Sequence, residues 1–312
     1  MWGALLTAQS YLYLPALLFL QAQALQTVSL GLAPGAFDDA YVGCVGEMEA
    51  DVAPRLLREE SARHPALKES WEAAATAWAA RKAALSLPPG FRDAHGVAVL
   101  VYTNASTALY RELNAAVRTG GGSRRHYLAH FPFKALHFYL TRALQLLGAG
   151  AGCPVSPGRA VFRGVGGLRF EPPGLGASVR FGQFTSSSEA EMVARGFGTD
   201  TFFHLGTCFG ASLGPLSAAP WEREVLIPAH EVFRVANFSR NGERSLMTLK
   251  STGQTCSHFN CAYLGGEKQQ DCVFVSGGEG NQLAQDPGTL LPMRTLLLPP
   301  GGLQLTDFGQ EA

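Results

Sequence analysis

The first half of the chain carries apolar residues at helical spacing. Residues 69–85 are rich in alanine, the best helix former, and stop before a Pro-Pro-Gly turn. Residues 107–118 predict another helix, which ends at three consecutive glycines. A third helix is predicted over residues 133–147, where one apolar stripe is formed by Leu136, Tyr139, Leu140, Leu144 and Leu147.

Shorter apolar runs predict strands. Val97 to Tyr102 is a continuous apolar run in the first half, which predicts a buried strand. After a glycine-rich break at residues 148–152, aromatic and β-branched runs alternate with turn residues: AVFRG, SVRFGQFTS, TFFHLGTCF, EVLIP, EVFRV and SLMTLK. We therefore predict an α+β fold with a helical lobe at about 38–148, a β-rich lobe at about 153–275 and a cleft between them.

The amino-acid composition limits the kind of protein that this chain can be and the kinds of partner that it can bind. The chain has 312 residues, of which 46% are hydrophobic and 16% charged, so it can bury a large core and is not globally disordered. Its formal net charge is zero, so it lacks the excess of positive charge that is typical of proteins that bind nucleic acid or an anionic membrane. Residues 276–312, rich in Gly, Pro and Gln, are expected to form a tail outside the core.

Several features predict a secretory route. Residues 1–24 are uncharged, apolar and end in a small-x-small tripeptide, which predicts a signal peptide cleaved after about Ala24; a buried N-terminal helix is the alternative. Asn104 and Asn237 each begin a glycosylation sequon. The C-terminal residues lack the uninterrupted apolar stretch of a glycolipid anchor signal. We therefore expect a secreted, extracellular glycoprotein without a stable membrane anchor.

Two possible ligand-binding motifs are not supported by the sequence. Residues 163–167 begin like a dinucleotide-binding glycine motif, but Arg169 stands where the third glycine is required. A four-ligand zinc site could in principle be formed by Cys256, His258, Cys261 and Cys272. Because their spacing is irregular and the compartment is oxidising, three disulfides among the six cysteines are favoured over a metal. Spacing alone leaves the pairing of these cysteines open.

Glu222 and Glu224 stand two residues apart, directly before the apolar run 225–227. In a strand, such residues face the same side with their Cα atoms about 7 Å apart, and Arg223 would point to the opposite face. Like charges this close resist being ionised together, so the pair is a candidate for acid or base chemistry. A solvated strand edge is the alternative for the pair taken alone.

The glutamate pair belongs to a longer pattern. Arg163 in VFRG comes first, then Ser186 in FGQFTSSS, then Glu222 and Glu224 in WERE. With FDDAYVGC and with EVLIP followed by HEVF, this order resembles the arginine-specific mono-ADP-ribosyltransferases over about residues 35–275. The resemblance implies a catalytic domain at 25–275, in which a helical lobe packs on a mainly antiparallel β-sandwich with an NAD cleft between them. The missing anchor signal implies a secreted member of that family.

The resemblance also implies the chemistry of the site. NAD⁺ would be a co-substrate rather than a permanently bound cofactor, no metal would be needed, and the acceptors would be arginine-bearing proteins. Glu224 would stabilise the oxocarbenium-like ribose that forms when nicotinamide leaves, and Glu222 would position the acceptor guanidinium. Arg163 would hold phosphate or ribose oxygens, and Ser186 would fix the carboxylate or the ribose by hydrogen bonding.

Further residues follow from the same resemblance. Tyr102, Gly164, Gln183 and Ser217 match family contacts to NAD, and for Gly164 the absent Cβ would let the nicotinamide amide approach the backbone. A core aromatic is the alternative for Tyr102. The family pattern implies two disulfides, Cys44–Cys261 and Cys153–Cys208, and it leaves Cys256 and Cys272, which could pair with each other.

Three functions are compatible with this sequence. The first is transfer of ADP-ribose from NAD⁺ to arginine, for which Glu222 is the distinguishing residue. The second is NAD⁺ hydrolysis at the same site with water as the acceptor. The third is a secreted, disulfide-bonded binding protein with an inactive site, against which the complete set of arginine, serine and both glutamates argues.

Overall fold

The computed structural model describes residues 25–148 and 159–276. Helices dominate the first of these ranges, where α3, α5 and α7 confirm the three predicted helices. In chain order the helical elements of the first range are α1 (Val45–Glu47), a π-helical turn (Met48–Val52), α2 (Ala53–Arg63), α3 (Pro65–Arg81), a 3₁₀ turn (Lys82–Ala84), α4 (Asp93–Thr103), α5 (Leu109–Gly120), α6 (Arg124–His130) and α7 (Lys134–Gly148). Among the strands of the second range lie α8 (Glu191–Gly196) and 3₁₀ turns at Gly214–Leu216, Pro220–Glu222 and Ala262–Leu264.

The strand predicted at Val97 to Tyr102 is wrong, because these residues lie in the helix α4. Every residue from His95 to Tyr102 is buried, so the helix is apolar on all sides and shows no helical periodicity. A short apolar run of this kind does not distinguish a buried strand from a buried helix. At the start of the helix, the Arg92 N–H donates to His95 Nδ1 over 2.9 Å, and the His95 N–H donates to the Arg92 carbonyl oxygen over 3.0 Å.

Each of the predicted strand runs in the second half contains a strand, and SVRFGQFTS is divided between two. The strands are β1 (Gln26–Ser29), β2 (Arg159–Val165), β3 (Leu168–Glu171), β4 (Ser178–Val179), β5 (Thr185–Ser188), β6 (Thr201–Thr207), β7 (Ala211–Ser212), β8 (Glu224–Ile227), β9 (Glu231–Asn241), β10 (Arg244–Ser257) and β11 (Val273–Ser276). The main sheet has the order β4-β9-β10-β6-β2-β5-β8-β7, and β11 pairs with β10. Its described pairs are antiparallel except β6 with β10.

The main sheet curls over on itself. Strands β8 and β9 are five positions apart in the strand order, which corresponds to about 24 Å in a flat sheet. They are consecutive in the chain, however, and the four residue steps from Ile227 to Glu231 span at most about 14 Å. Ile227 and Phe233 accordingly share one apolar cluster with side chains of β2, β4, β6 and β10. This inner cluster is the core of the sandwich.

A second, larger core joins the helices to the sheet. Strand alternation along β8 places Val225 and Ile227 in the inner cluster, whereas Leu226 packs against the helices together with Phe184. Both faces of β8 are therefore covered from residue 225 to residue 227, which explains why these three consecutive residues are apolar. Glu224, two residues before Leu226, consequently faces the helices at the point where this packing ends.

A buried ion pair joins the segment before the helices to the sheet. The Arg180 side chain after β4 is fully buried and donates to Asp38 Oδ2 over 2.6 Å. It also donates to the carbonyl oxygens of Leu32, Ala33 and Cys256. Asp38 Oδ1 in turn accepts from the backbone N–H of His258 over 2.8 Å. The FDDAYVGC sequence thus ties the start of the helical lobe to the end of β10.

Disulfide bonds reinforce the same junction. Cys44 is bonded to Cys261, and Cys256 is bonded to Cys272. Cys256, His258 and Cys272 lie close together, but both cysteines are consumed by their disulfide and Cys261 is bonded elsewhere. The zinc alternative is therefore not supported, because three of its four ligands are oxidised.

Some predictions fall outside the described residues. These are the signal peptide at 1–24, Cys153 with its predicted bond to Cys208, and the tail except for Ser276, which belongs to β11. Within residues 25–148 and 159–276, no helix is long and apolar enough to cross a bilayer.

The Asp38–Arg180 pair should contribute strongly to the free energy of unfolding. Asp38→Asn keeps the shape of the side chain but leaves the buried guanidinium without a counter-charge, which should cost about 3–5 kcal/mol in urea unfolding. The matched control is Glu171→Gln, which removes a half-exposed pair with Arg240 and should cost about 0–1 kcal/mol. Equal losses in the two variants would contradict the role given to the buried pair.

Candidate active site

A cavity of about 540 Å³ opens where the helices meet the strands. Its helical wall includes Tyr102 of α4 and Arg111 of α5, and its opposite wall includes Arg163 of β2, Ser186 of β5 and Glu224 of β8. Glu222 also lines it. All four predicted catalytic residues therefore share one cavity.

Strand pairing explains why residues so distant in sequence meet here. Strand β5 lies between β2 and β8, with Phe162 opposite Ser188 on one side and Ser188 opposite Glu224 on the other. The three sequence pieces VFRG, FTSSS and EREV thus form neighbouring strands. Arg163 Nη1 donates to the Ser186 carbonyl oxygen over 2.5 Å, which fixes the guanidinium against β5.

Glu224 is nearly buried, with 5% of its surface exposed. Burial raises the pKa of its carboxyl above the ordinary value, and the charge of Glu222 raises it further. Hydrogen bonding from the side chains of Ser186 and Ser217 and the charge of Arg163 lower the pKa and so favour the ionised form. The Ser217 hydroxyl lies 3.3 Å from Glu224 Oε2.

Glu222 has a different backbone setting from Glu224. It ends a 3₁₀ turn (Pro220–Glu222), and Arg223 then adopts a left-handed conformation with φ of 49° before β8 begins. The expectation that both glutamates lie on one strand is therefore wrong, because the turn interrupts the alternation between them. Glu222 is half-buried, and burial raises the pKa of its carboxyl.

Arg223 is exposed on the outer side of this turn. Its guanidinium pairs with Glu189 Oε2 at 3.3 Å, and 61% of its side chain is exposed. Glu189 N–H also donates to the Arg223 carbonyl oxygen over 3.2 Å. The side chain is therefore directed away from the cavity as expected, but the ion pair and the turn achieve this rather than strand alternation.

Tyr102 belongs both to the core and to the cavity wall. Only 3% of it is exposed, and its hydroxyl donates to the Phe184 carbonyl oxygen over 3.2 Å. Asn114 Nδ2 donates to the same hydroxyl over 3.0 Å. Burial raises the pKa of Tyr102 to about 12, so the phenol is neutral at physiological pH. The two interpretations made from the sequence, a core aromatic and a residue of the NAD pocket, are therefore compatible.

Two of the predicted NAD contacts do not line the cavity. Gln183 accepts a hydrogen bond from Arg118 Nη1 outside it. Ser217 is fully buried behind Glu224, where its hydroxyl also accepts from the Ala219 N–H over 3.1 Å. The geometry makes Ser217 a support for the Glu224 carboxylate.

Gly164 lines the cavity, but its missing side chain serves packing. A Cβ at this position would lie 2.2 Å from the Ala194 carbonyl oxygen and 2.3 Å from that of Gly198. Both atoms are backbone, so they cannot swing aside. The glycine is required because α8 and the loop after it pack directly on β2, rather than because a ligand approaches from that side.

The helical wall of the cavity also carries the polar residues Arg111 and Asn114, which were not predicted from the sequence. Arg111 is exposed at the cavity, and its Nε donates to the Tyr110 hydroxyl over 2.8 Å. Among the described residues it forms no ion pair with a carboxylate, so its charge is available to a ligand. Arg111 and Asn114 are three residues apart and are thus neighbours on a helix surface. This spacing is the signal in the sequence that the two polar side chains lie together.

Comparison with known proteins identifies the class. The profile of the family described as NAD:arginine ADP-ribosyltransferase matches residues 30–257, more than two thirds of the chain. The chain belongs to this family, which confirms the resemblance seen in the sequence.

Individual relatives agree with this assignment. Ecto-ADP-ribosyltransferase 5 of Mus musculus is 60% identical over 290 residues, covering 93% of this chain and 94% of the relative. The Homo sapiens protein of the same name is 61% identical over 260 residues, covering 83% and 89%. A crystal structure of the eukaryotic mono-ADP-ribosyltransferase ART2.2, a mutant in complex with NADH, is 39% identical with a TM-score of 0.64, covering 76% of this chain and 99% of that one. The predicted α+β ADP-ribosyltransferase fold is thereby confirmed.

The packing role of Gly164 can be separated from a role in binding. Gly164→Ala should lower the free energy of unfolding by about 1–3 kcal/mol or more in urea, because its methyl group meets two immobile carbonyl oxygens. Gly166→Ala is the matched control, since a Cβ there lies 3.4 Å from the nearest atom, an ordinary contact. A Gly164→Ala protein with unchanged stability and weakened NAD⁺ binding would instead support the ligand-based interpretation.

Proposed function

We propose that this chain transfers ADP-ribose from NAD⁺ to protein arginine in the cavity between α4, α5 and the strands β2, β5 and β8. The observation that carries the proposal is the convergence of Glu224, Glu222, Arg163 and Ser186 on one cavity. Membership of the arginine-directed family agrees with this chemistry.

Glu224 is proposed to serve the donor half of the reaction. The bond between nicotinamide and ribose C1′ breaks with its electron pair leaving on nicotinamide, so positive charge develops on the ribose. A buried carboxylate beside that ribose stabilises the charge more strongly than it would in water. Ser186, Ser217 and Arg163 assist because each favours the ionised carboxylate that the step requires.

Glu222 is proposed to serve the acceptor half. An arginine nitrogen attacks C1′ and must lose one proton, which Glu222 accepts and then passes to solvent. The products are ADP-ribosyl-arginine, nicotinamide and a proton. Because Glu222 is only half-buried, whereas Glu224 is nearly buried, it is the carboxylate that a side chain on another protein can reach.

Two cations are proposed to hold the donor. The diphosphate of NAD⁺ carries two negative charges, and Arg163 can offer a planar fork of N–H donors to phosphate or ribose oxygens. Burial lowers the pKa of Arg163, but an arginine stays protonated in proteins. Arg111 on the facing wall supplies the second charge. Tyr102 and Gly164 complete the pocket, and Gln183 would contribute only from outside the cavity wall.

Hydrolysis of NAD⁺ is the second candidate activity. It uses the same donor half, with water in place of the arginine nitrogen. The half-exposed position of Glu222 favours it, because water can reach the ribose whenever an acceptor is absent. A binding protein with an inactive site is disfavoured by the intact set of cavity residues.

The setting of this activity is proposed to be extracellular. The disulfides within the described residues are typical of proteins that mature in the secretory route. We further propose a secreted protein with a catalytic domain at 25–275 that carries glycans at Asn104 and Asn237.

Product partition tests the proposed roles. The full chain, produced through a secretory route, would be given labelled NAD⁺ and agmatine, and ADP-ribosyl-agmatine would be quantified together with free ADP-ribose. Glu224→Gln should lower both products about 10²–10³-fold. Glu222→Gln should lower the agmatine product about 10²-fold or more and leave hydrolysis largely intact.

Glu189→Gln is the control, because this carboxylate lies beside Arg223 but not in the cavity wall. It should leave both products unchanged. Transfer to agmatine that survives in Glu222→Gln would contradict the acceptor role of Glu222. If the protein without substitutions formed free ADP-ribose as its sole product, it would be a glycohydrolase.

A further inference from the structure

The glycosylation sequon at Asn104 lies on the rim of the cavity. Asn104 follows the last residue of α4, and its neighbours Thr103 and Ala105 both line the cavity. Asn104 Oδ1 accepts from the Ser106 N–H over 3.1 Å and from the Ser106 hydroxyl over 2.5 Å. Its Nδ2, the atom that would carry a glycan, forms no hydrogen bond within the described residues and is not among their buried unpaired atoms.

The same rim contacts the loop that carries the glutamates. Thr103 Oγ1 accepts a hydrogen bond from the Ala218 N–H over 2.9 Å. Ala218 lies directly after Ser217 and four residues before Glu222, so the residue before Asn104 is hydrogen-bonded to the segment that leads to the two glutamates. A glycan is bulky and strongly hydrated, so it occupies the space above the surface to which it is attached.

We propose that a glycan on Asn104 selects acceptors by size and flexibility, admitting free guanidines and arginines on flexible segments and excluding arginines on rigid protein surfaces. This inference rests on the proposed arginine transfer. Stable docking of a folded protein requires about 800 Å² of surface on each partner, which a glycan on the rim of the cavity interrupts. A small guanidine or an extended chain needs far less area.

The second sequon provides an internal control. Asn237 is exposed on β9, a strand that contributes no residue to the cavity wall. A glycan at Asn237 is therefore expected to leave acceptor choice unchanged, although it adds the same mass and hydration.

The experiment compares three acceptors with four forms of the full secreted protein. The acceptors are agmatine, folded lysozyme, and lysozyme that has been reduced and alkylated, which offers the same arginines on a flexible chain. The four forms are the protein without substitutions and the variants Asn104→Gln, Ser106→Ala and Asn237→Gln. Glycan occupancy at each sequon is measured by mass spectrometry of peptides. Ser106→Ala removes the sequon while keeping Asn104 itself.

Both variants of the first sequon should raise kcat/KM for folded lysozyme about fivefold or more, with agmatine and unfolded lysozyme unchanged. Asn237→Gln should have the same kcat/KM as the protein without substitutions for every acceptor. An unoccupied Asn104, or loss of its glycan without a rise for folded lysozyme, would overturn the inference. Failure of all forms to modify agmatine would overturn the proposed transfer as well, so the two failures are distinguishable.

Discussion

The arrangement of helices and sheet depends on the buried guanidinium of Arg180. It is fully buried, and its donors are distributed between Asp38, backbone carbonyls of the segment before the helices, and the Cys256 carbonyl at the end of β10. A buried cation is tolerated only when such partners surround it. The contact therefore specifies one position of the helical segment against the sheet, and the Cys44–Cys261 disulfide restricts the same junction.

That position matters because the cavity has one wall from each part. Arg111 belongs to a helix and Arg163 to a strand, so neither part alone would form the proposed NAD⁺ site. Within the cavity, burial opposes ionisation of Glu224 while neighbouring donors favour it. A carboxylate held between these effects provides strong electrostatic stabilisation of a developing cation, because it is negative and poorly solvated at the same time.

Sequence patterns predicted the α+β class and most of the strands, because these follow from local periodicity, and a distinctive order of motifs predicted four residues that line one cavity. The predictions were wrong or incomplete where contacts between distant parts of the chain determine the secondary structure or the role of a residue. Val97 to Tyr102 is helical because the packing around α4 buries every side, and Gly164 is required by a loop thirty-four residues away. Arg111 was not predicted because its spacing from Asn114 indicates that the two are neighbours on a helix surface but not which part of the fold that surface faces.

Calorimetric titration of NAD⁺ tests most directly that this two-walled cavity is the donor site. It should be done in a Glu224→Gln background, where slow turnover leaves NAD⁺ intact. We predict one saturable site whose Kd rises about tenfold or more in Arg163→Gln and in Arg111→Gln, since each removes a charged hydrogen-bond donor. Arg125→Gln, an exposed arginine on α6, should leave the Kd unchanged. Unaltered affinity after loss of both Arg163 and Arg111 would contradict the account.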